Sequence, residues 1–342
     1  MARLSVTDLS VTYRTGDGDL TAVDRVTFDI QDNEIFGIVG ESGCGKSTLG
    51  DSFLQLLDEN GSISGGSIVY DGMDLAAMTD RELADEVRGN KISMIFQDPN
   101  ASLDPVYTVG QQLVETITKH LDMNKKAARE RAIELLDDVG IPDPEDRIDN
   151  YPHSFSGGQL QRIVIAIALS CEPGLLIADE PTTGLDVSIQ AQILDLLEEL
   201  AESHETSIVM ITHDLGVVAE ICDRVGVMYA GNMVEIAPIQ QLFDAPRHPY
   251  TQALLDSIPE RHGMKEDLTV IPGHPPDLRQ PPTGCRYNPR CDQVCGMECE
   301  TGDVPPTYDV EGTDVMCYLY DEGVNEAYEG PTNIVAEPGG DD

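Results

Sequence analysis

The chain is short of cations. Lysine and arginine number 21 against 62 aspartates and glutamates in 342 residues, a formal net charge of −41. Such a surface repels nucleic acid and anionic lipid over most of its area. The acidity is spread along the whole chain and not gathered in one binding tail. That spread fits the solvated acidic face of proteins from very salty, haloarchaeal-like cytoplasm, where salt screens self-repulsion. Long apolar runs are also missing. A membrane-spanning helix needs about 18 or more consecutive apolar residues, and the most apolar run, residues 163–169, is far shorter. The opening MARLSVTDLS lacks the apolar core of an export signal. The chain is therefore expected in the cytoplasm, and any membrane process it serves needs other subunits to supply the span.

Hydrophobic residues make up 40%, enough for an ordinary core, and the length suits one large domain with an appendage, or two domains. Residues 1–97 alternate turns with strand-like runs at 8–13, 22–30, 34–39, 67–70 and 91–96. Residues 98–170 read as mostly helical, with apolar residues at helical spacing over 113–121 and 125–139. Residues 171–240 return to α/β alternation, with buried strands expected at 175–178, 207–212 and 224–229. Between the first two, Ile189, Ile193, Leu196, Leu197 and Leu200 form one helical stripe. Residues 241–342 are rich in Pro, Gly and Cys. From about Asp321 the chain is acidic and aperiodic, and disorder is expected there.

The chemistry begins after the strand at 34–39. Gly40-Glu41-Ser42-Gly43-Cys44-Gly45-Lys46-Ser47-Thr48 fits G-x-x-x-x-G-K-S/T and leads into a helix-like run. Strand, glycine loop and helix are the context that pattern requires. Glycines let backbone N–H groups close around phosphate oxygens, and the helix start adds a favourable dipole. Lys46 is placed to reach the β- and γ-phosphates of ATP, and the Ser47 hydroxyl to ligate Mg²⁺. Cys44 needs no redox role. About 130 residues later, Leu175-Leu176-Ile177-Ala178-Asp179-Glu180 is an apolar strand ending in two carboxylates. Asp179 suits Mg²⁺ and Glu180 the orientation of attacking water. An apolar run ending in Asp-Glu is weak evidence alone; paired with the phosphate loop it is strong. Gln97 and His213 end two further strands, where they are able to contact metal, water or γ-phosphate. Phe155-Ser156-Gly157-Gly158-Gln159 is a second anion-cradling turn before a helix-like run. One nucleotide does not need two such loops from one chain, so two chains facing head to tail would each lend this loop to the other.

This set resembles the nucleotide-binding domain of the ABC ATPase family over roughly residues 4–240. Residues 40–48 match its Walker A loop and 175–180 its Walker B strand. Residues 155–159 match its signature loop, with Phe155 where Leu is usual. Gln97 matches the Q-loop and His213 the H-loop. Gly184-Leu185-Asp186 matches the D-loop, and Tyr13 lies where the family stacks an aromatic on adenine. The resemblance implies an α/β P-loop NTPase, with a RecA-like core, an antiparallel β subdomain and a helical subdomain. It also implies two cassettes sandwiching two ATPs. Glu180 would act as base or water orienter, and His213 as γ-phosphate sensor. Ser47, Gln97 and Asp179 would hold Mg²⁺, and Ser156, Gly157, Gly158 and Gln159 would reach the partner's ATP.

The last hundred residues resemble the oligopeptide/dipeptide permease ATPases. Phe243-Asp244-Ala245-Pro246-Arg247-His248-Pro249-Tyr250-Thr251 carries the resemblance, with the runs at 271–278 and 282–291. With the runs at 181–190 and 271–278 resembling the D-type of the two paired ATPases, the resemblance implies a D-type subunit paired with an F-type ATPase. It further implies two transmembrane permease subunits, an extracytoplasmic substrate-binding protein, a place at the cytoplasmic face of the membrane and no nucleic-acid partner. The expected division is 1–240 nucleotide-binding domain (helical part about 98–170), 241–320 small Cys-rich lobe and 321–342 acidic tail.

Five of eight cysteines fall at 285, 291, 295, 299 and 317. Without an export signal, metal is favoured over disulfides. Four thiolates suit Zn²⁺ or an iron–sulfur cluster. The permease resemblance implies a 4Fe–4S cluster on Cys285, Cys291, Cys299 and Cys317, with Cys295 as a possible substitute for Cys299. Cys171 and Cys222 read as core. Importers of oligosaccharide or nickel share the same ATPase pattern. A soluble ABC ATPase of DNA repair or translation is the rival of another class, though the chain lacks its usual coiled-coil insertion or second cassette.

Overall fold

Ile35–Val39 is apolar at every position, so a strand there must bury both faces. In the computed structural model, which describes residues 2–258 and 271–321, it lies inside an eight-stranded sheet. The strand order is Tyr308–Val310, Thr313–Val315, Asn232–Pro238, Arg224–Tyr229, Ile35–Val39, Ser207–Ile211, Leu175–Asp179, Ile92–Ile95. The five strands from Arg224–Tyr229 to Ile92–Ile95 pair in parallel. The other three are antiparallel additions at one edge. Because side chains alternate across a sheet, Phe36 and Ile38 enter one core and Ile35 and Val39 the other. Leu175 and Ile177 divide from Leu176 and Ala178 in the same way.

One core lies under a second, four-stranded antiparallel sheet of Gly18–Gln31, Ala2–Thr15, Gly61–Tyr70 and Met73–Asp74. The expected strands at 8–13 and 22–30 are parts of two fourteen-residue strands, paired from Ala2↔Gln31 to Thr15↔Gly18. The other core lies under the helices Val109–His120, Lys125–Asp138, Gly157–Leu169 and Val187–His204. The first of these starts earlier than its apolar periodicity indicates. Thr108 and Gln111 close a capping box that satisfies the free N–H groups of its first turn.

The sheet runs through the expected boundary at 240. Glu235 and Ile236 pair with Val315 and Asp314, so the C-terminal segment shares the sheet that carries the phosphate loop. That hairpin had no sequence signal stronger than a short Tyr-Asp-Val run. Apart from Asp321, the expected acidic tail lies outside the described residues. Among the described residues no helix is long and apolar enough to cross a membrane.

Candidate active site

The parallel strands deliver their ends to one edge of the sheet. Ile35–Val39 runs into the phosphate loop, and the helix Lys46–Phe53 starts at Gly45. Gly45 has φ +107°, and a Cβ there would lie 2.2 Å from the Ala22 carbonyl oxygen. Only glycine fits that approach. Lys46 is buried, and its Nζ donates to the carbonyls of Gly40 and Glu41 at 2.9 and 3.2 Å. Cys44 is buried, and burial pushes its thiol up despite Lys46 nearby.

Leu175–Asp179, two strands away, ends beside this loop. Ser47 Oγ donates to Asp179 Oδ1 at 3.2 Å, across 132 positions of sequence. Burial raises the Asp179 pKa. Asp51, one helical turn after Ser47, is pushed up to about 6 by burial and by repulsion from Asp179 and Asp58. The buried Asp179 carboxylate with the Ser47 hydroxyl, and the partly buried Asp51 carboxyl whose charge it repels, form a hard oxygen set that a divalent cation would stabilise. Asp51 was not among the residues singled out by motif. Its i+4 spacing from Ser47 is the signal that could have found it.

Glu180 follows in the left-handed region, at φ +48°, and its N–H donates to the Ile211 carbonyl at 2.8 Å. Three side chains converge on its carboxylate. Gln97 Nε2 donates to Oε2 at 2.7 Å, and Thr183 Oγ1 donates to the same oxygen at 2.8 Å. His213 Nδ1 lies 2.9 Å from Oε1. Burial alone would raise the Glu180 pKa, but His213, Thr183 and Lys46 outweigh it and hold the carboxyl below its usual range. Glu180 is thus an ionised acceptor at neutral pH. Thr183 is a second residue that motif reading passed over.

Tyr13 stands at the mouth of the site, its hydroxyl 3.5 Å from Thr48 Oγ1. Gly40, Ser42, Gly43, Cys44, Gly45, Lys46, Ser47, Thr48, Gln97, Asp179, Glu180 and His213 thus share one edge of the sheet. The second glycine loop does not join them. Ser156 caps the helix Gly157–Leu169, with Gln159 closing the box, and Arg147 donates to Gln159 and covers the Phe155 ring at 4.4 Å. No hydrogen bond or ion pair among the described residues links Ser156, Gly157, Gly158 or Gln159 to residues 40–48.

The C-terminal cysteines form a separate place. Cys285, Cys291, Cys299 and Cys317 line one small cavity together with His248. His248 is fully buried, and its Nδ1 accepts from Tyr250 N at 3.0 Å, so Nε2 carries the proton. That Nε2 makes no hydrogen bond. Burial pushes the Cys285 and Cys291 thiols up to about 11 and about 12. Cys295 does not line the cavity; its sulfur lies 3.2 Å from Cys299 Sγ, and that hydrogen bond lowers the Cys299 pKa. Cys171 and Cys222 are buried in the core.

Comparison with known proteins places the chain in a family. The ABC transporter family pattern matches residues 23–183, and that of the oligopeptide/dipeptide transporter C-terminal region matches residues 234–299. The chain is 48% identical over 325 residues to the dipeptide transport ATP-binding protein DppD of Bacillus subtilis, covering 95% of this chain and 96% of that protein. It is 48% identical over 312 residues to the oligopeptide transport ATP-binding protein OppD of the same organism, covering 91% and 86%. Among solved structures, the ATP-binding cassette MJ0796, a dimer in a post-hydrolysis state bound to ADP and Pi, superposes with a TM-score of 0.62. It is 28% identical and covers 69% of this chain and 98% of its own. By identity over nearly its whole length, and by a fold that gathers the phosphate loop, the paired carboxylates, Gln97 and His213 at one sheet edge, the chain belongs to the ATP-binding proteins of the oligopeptide/dipeptide branch of ABC transporters.

Proposed function

We propose that the chain energises peptide import as one half of a pair of ATP-binding cassettes. The observation that carries this reading is the convergence of Gln97, Thr183 and His213 on an ionised Glu180, beside Ser47 and Asp179. In that arrangement a water held by Glu180 attacks the γ-phosphorus of ATP and passes its proton toward the carboxylate, while ADP departs. His213 contacts the γ-phosphate, and Lys46 stabilises the charge that develops across the β- and γ-phosphates. Ser47, Gln97 and Asp179, supported by Asp51, would hold the Mg²⁺ that screens those oxygens. Tyr13 stacks on the adenine. Among the described residues Ser156, Gly157, Gly158 and Gln159 make no hydrogen bond to the chain's own phosphate loop, and in this reading they serve a partner's ATP. The partner in this reading is an F-type subunit in a heterodimer.

Docking of the permease subunits is assigned to the cleft beside Gln97. It measures about 250 Å³, is mostly apolar, and is lined by Leu54, Leu56, Phe96, Val164 and Ile167 among others. Phe96 and Leu56 stay exposed on it, as a surface awaiting a helix does. The extracytoplasmic binding protein delivers cargo and never touches this chain. The even acidity is assigned to a salty cytoplasm. Reconstituted with its permease subunits, the complex is expected to hydrolyse ATP faster when peptide-loaded binding protein is added. Stimulation by oligosaccharide or nickel in place of peptide would reassign the cargo.

The thiol cavity is read as the place of an iron–sulfur cluster, with zinc as the alternative. Its donors are four thiols, and His248, whose buried Nε2 has no hydrogen-bond partner, lines the same cavity. Among the described residues no three His, Cys, Asp or Glu side chains stand together as a metal site, so the four sulfurs would have to draw in around a cluster. Cys285, Cys291, Cys299 and Cys317 would hold a 4Fe–4S cluster, whose binding draws off thiol protons that burial otherwise retains. Cys295 would hydrogen-bond to Cys299 without ligating. Protein purified without oxygen is expected to be brown, with about four iron atoms per chain. A colourless protein with one zinc per chain would reject the cluster.

A further inference from the structure

The stretch between Cys285 and Cys291 reaches away from the thiols and into the phosphate loop. Arg290 Nη1 donates to Glu41 Oε2 at 2.6 Å and Nη2 donates to Oε1 at 3.0 Å, a two-pronged pair across 249 positions. Arg290 Nε donates to the Pro272 carbonyl at 2.7 Å, and Nη1 also lies 3.3 Å from the Tyr229 hydroxyl. The Arg290 side chain is only 4% exposed. Glu41 is held at its backbone too, since its N–H donates to the Tyr250 hydroxyl at 3.0 Å. Its carbonyl in turn accepts from Lys46 Nζ at 3.2 Å and from Cys44 N at 3.2 Å. A second brace lies alongside. Arg286 donates to the Ala230 carbonyl and pairs with Asp24, and the neighbouring Gly231 N–H donates to the Cys44 carbonyl at 2.8 Å.

We propose that Arg290 is a positioning residue for nucleotide binding: it clamps Glu41, and through that residue's carbonyl it holds Lys46 and the phosphate loop in shape. The clamp has two effects. It cancels a carboxylate that would otherwise face an incoming polyanion from within the binding loop. It also fixes a loop whose glycines would otherwise move, so that less ordering is left for the nucleotide to supply. Guanidinium suits the task because its planar fork meets both carboxylate oxygens, which an ammonium does not. The C-terminal segment is thereby part of the ATP site. The proposal rests on reading residues 40–48 as the phosphate loop, and on neither the cargo, the cluster nor the role of Glu180.

The test measures KM for ATP and kcat in the assembled transporter, with the Kd of a fluorescent ADP analogue for the full-length chain. Arg290→Ala is expected to raise KM and Kd roughly tenfold while kcat changes less than about twofold. Arg290→Lys is expected to fall between, at about threefold. Glu41→Ala, which loses the brace but also the carboxylate left unpaired in Arg290→Ala, should weaken binding less than Arg290→Ala, and the double variant should be no worse than Arg290→Ala alone. Unchanged KM and Kd in Arg290→Ala, a fall in kcat without a rise in KM, or additive single effects would each overturn the clamp. Should Arg290→Ala fail to fold, Arg290→Lys decides, since parental affinity there would equally overturn it. Tyr250→Phe, which keeps the ring packing, is expected to weaken ADP binding about threefold with little change in Tm; parental affinity would remove the hydroxyl from the proposal. The binding readout does not require turnover, so failure of the hydrolytic assignment and failure of the clamp are separable.

Discussion

Glu180→Gln is expected to lower ATP turnover by roughly 10²- to 10⁴-fold while nucleotide binding survives. The amide has nearly the shape of the carboxylate and can still accept from Thr183 and Gln97 through its oxygen. It cannot take a proton from water at neutral pH. The wild-type carboxyl is ionised because His213, Thr183 and Lys46 outweigh its burial, so the variant also removes a negative charge from beside the γ-phosphate position. ATP is then held longer, and ATP-bound dimers should accumulate. Steady-state hydrolysis and light scattering with ATP against ADP measure the two effects. Turnover within a few fold of the parent would place the base elsewhere.

Gly45→Ala is expected to cost the nucleotide site heavily for a single methyl. Two costs coincide there. The backbone sits at φ +107°, where an L-residue is strained, and the new Cβ would meet the Ala22 carbonyl oxygen at 2.2 Å and Met228 Cε at 2.9 Å. The methionine tip can swing aside, but the carbonyl belongs to a paired strand and cannot. The loop must shift, at a cost of about 2–4 kcal/mol, and its N–H groups lose their common focus. Nucleotide affinity should fall about a hundredfold. Gly43→Ala is the internal control. It is also at positive φ, +78°, but nothing lies within 4 Å of its Cβ, so only the strain of roughly 1 kcal/mol applies. Thermal unfolding and fluorescent-nucleotide titration should rank the two variants in that order; equal losses would remove the carbonyl clash as the cause.

The phosphate loop, the Asp179–Glu180 pair and the position of the helical region were readable because each is written in contiguous residues. A strand, a turn and a helix start are decided by local backbone preference and apolar spacing. The glycines at 40 and 45 announce a loop that approaches other backbone closely. Gln97 and His213 were readable as strand ends, and they meet at one carboxylate because parallel strands bring their ends to the same sheet edge. Less was legible at Asp51 and Thr183. Neither sits in a motif, and their importance comes from carboxylate crowding in one case and a single hydroxyl contact in the other.

The C-terminal region divides more sharply. Its cysteines were visible as a candidate ligand set, but spacing left Cys295 and Cys299 open as alternatives. Folding separates them, turning Cys299 toward the cavity and leaving Cys295 behind it. By itself, the sequence determined the family and the local elements that carry its motifs, because those reside in short segments whose geometry is local. Only the tertiary structure decided that the C-terminal segment joins the central sheet and that Arg290 grips Glu41. The reason is physical: an ion pair across 249 positions depends on how the strands, the aromatic cluster of Tyr229, Tyr250 and Tyr287, and the loop between two cysteines pack together. No local preference of the chain encodes that packing.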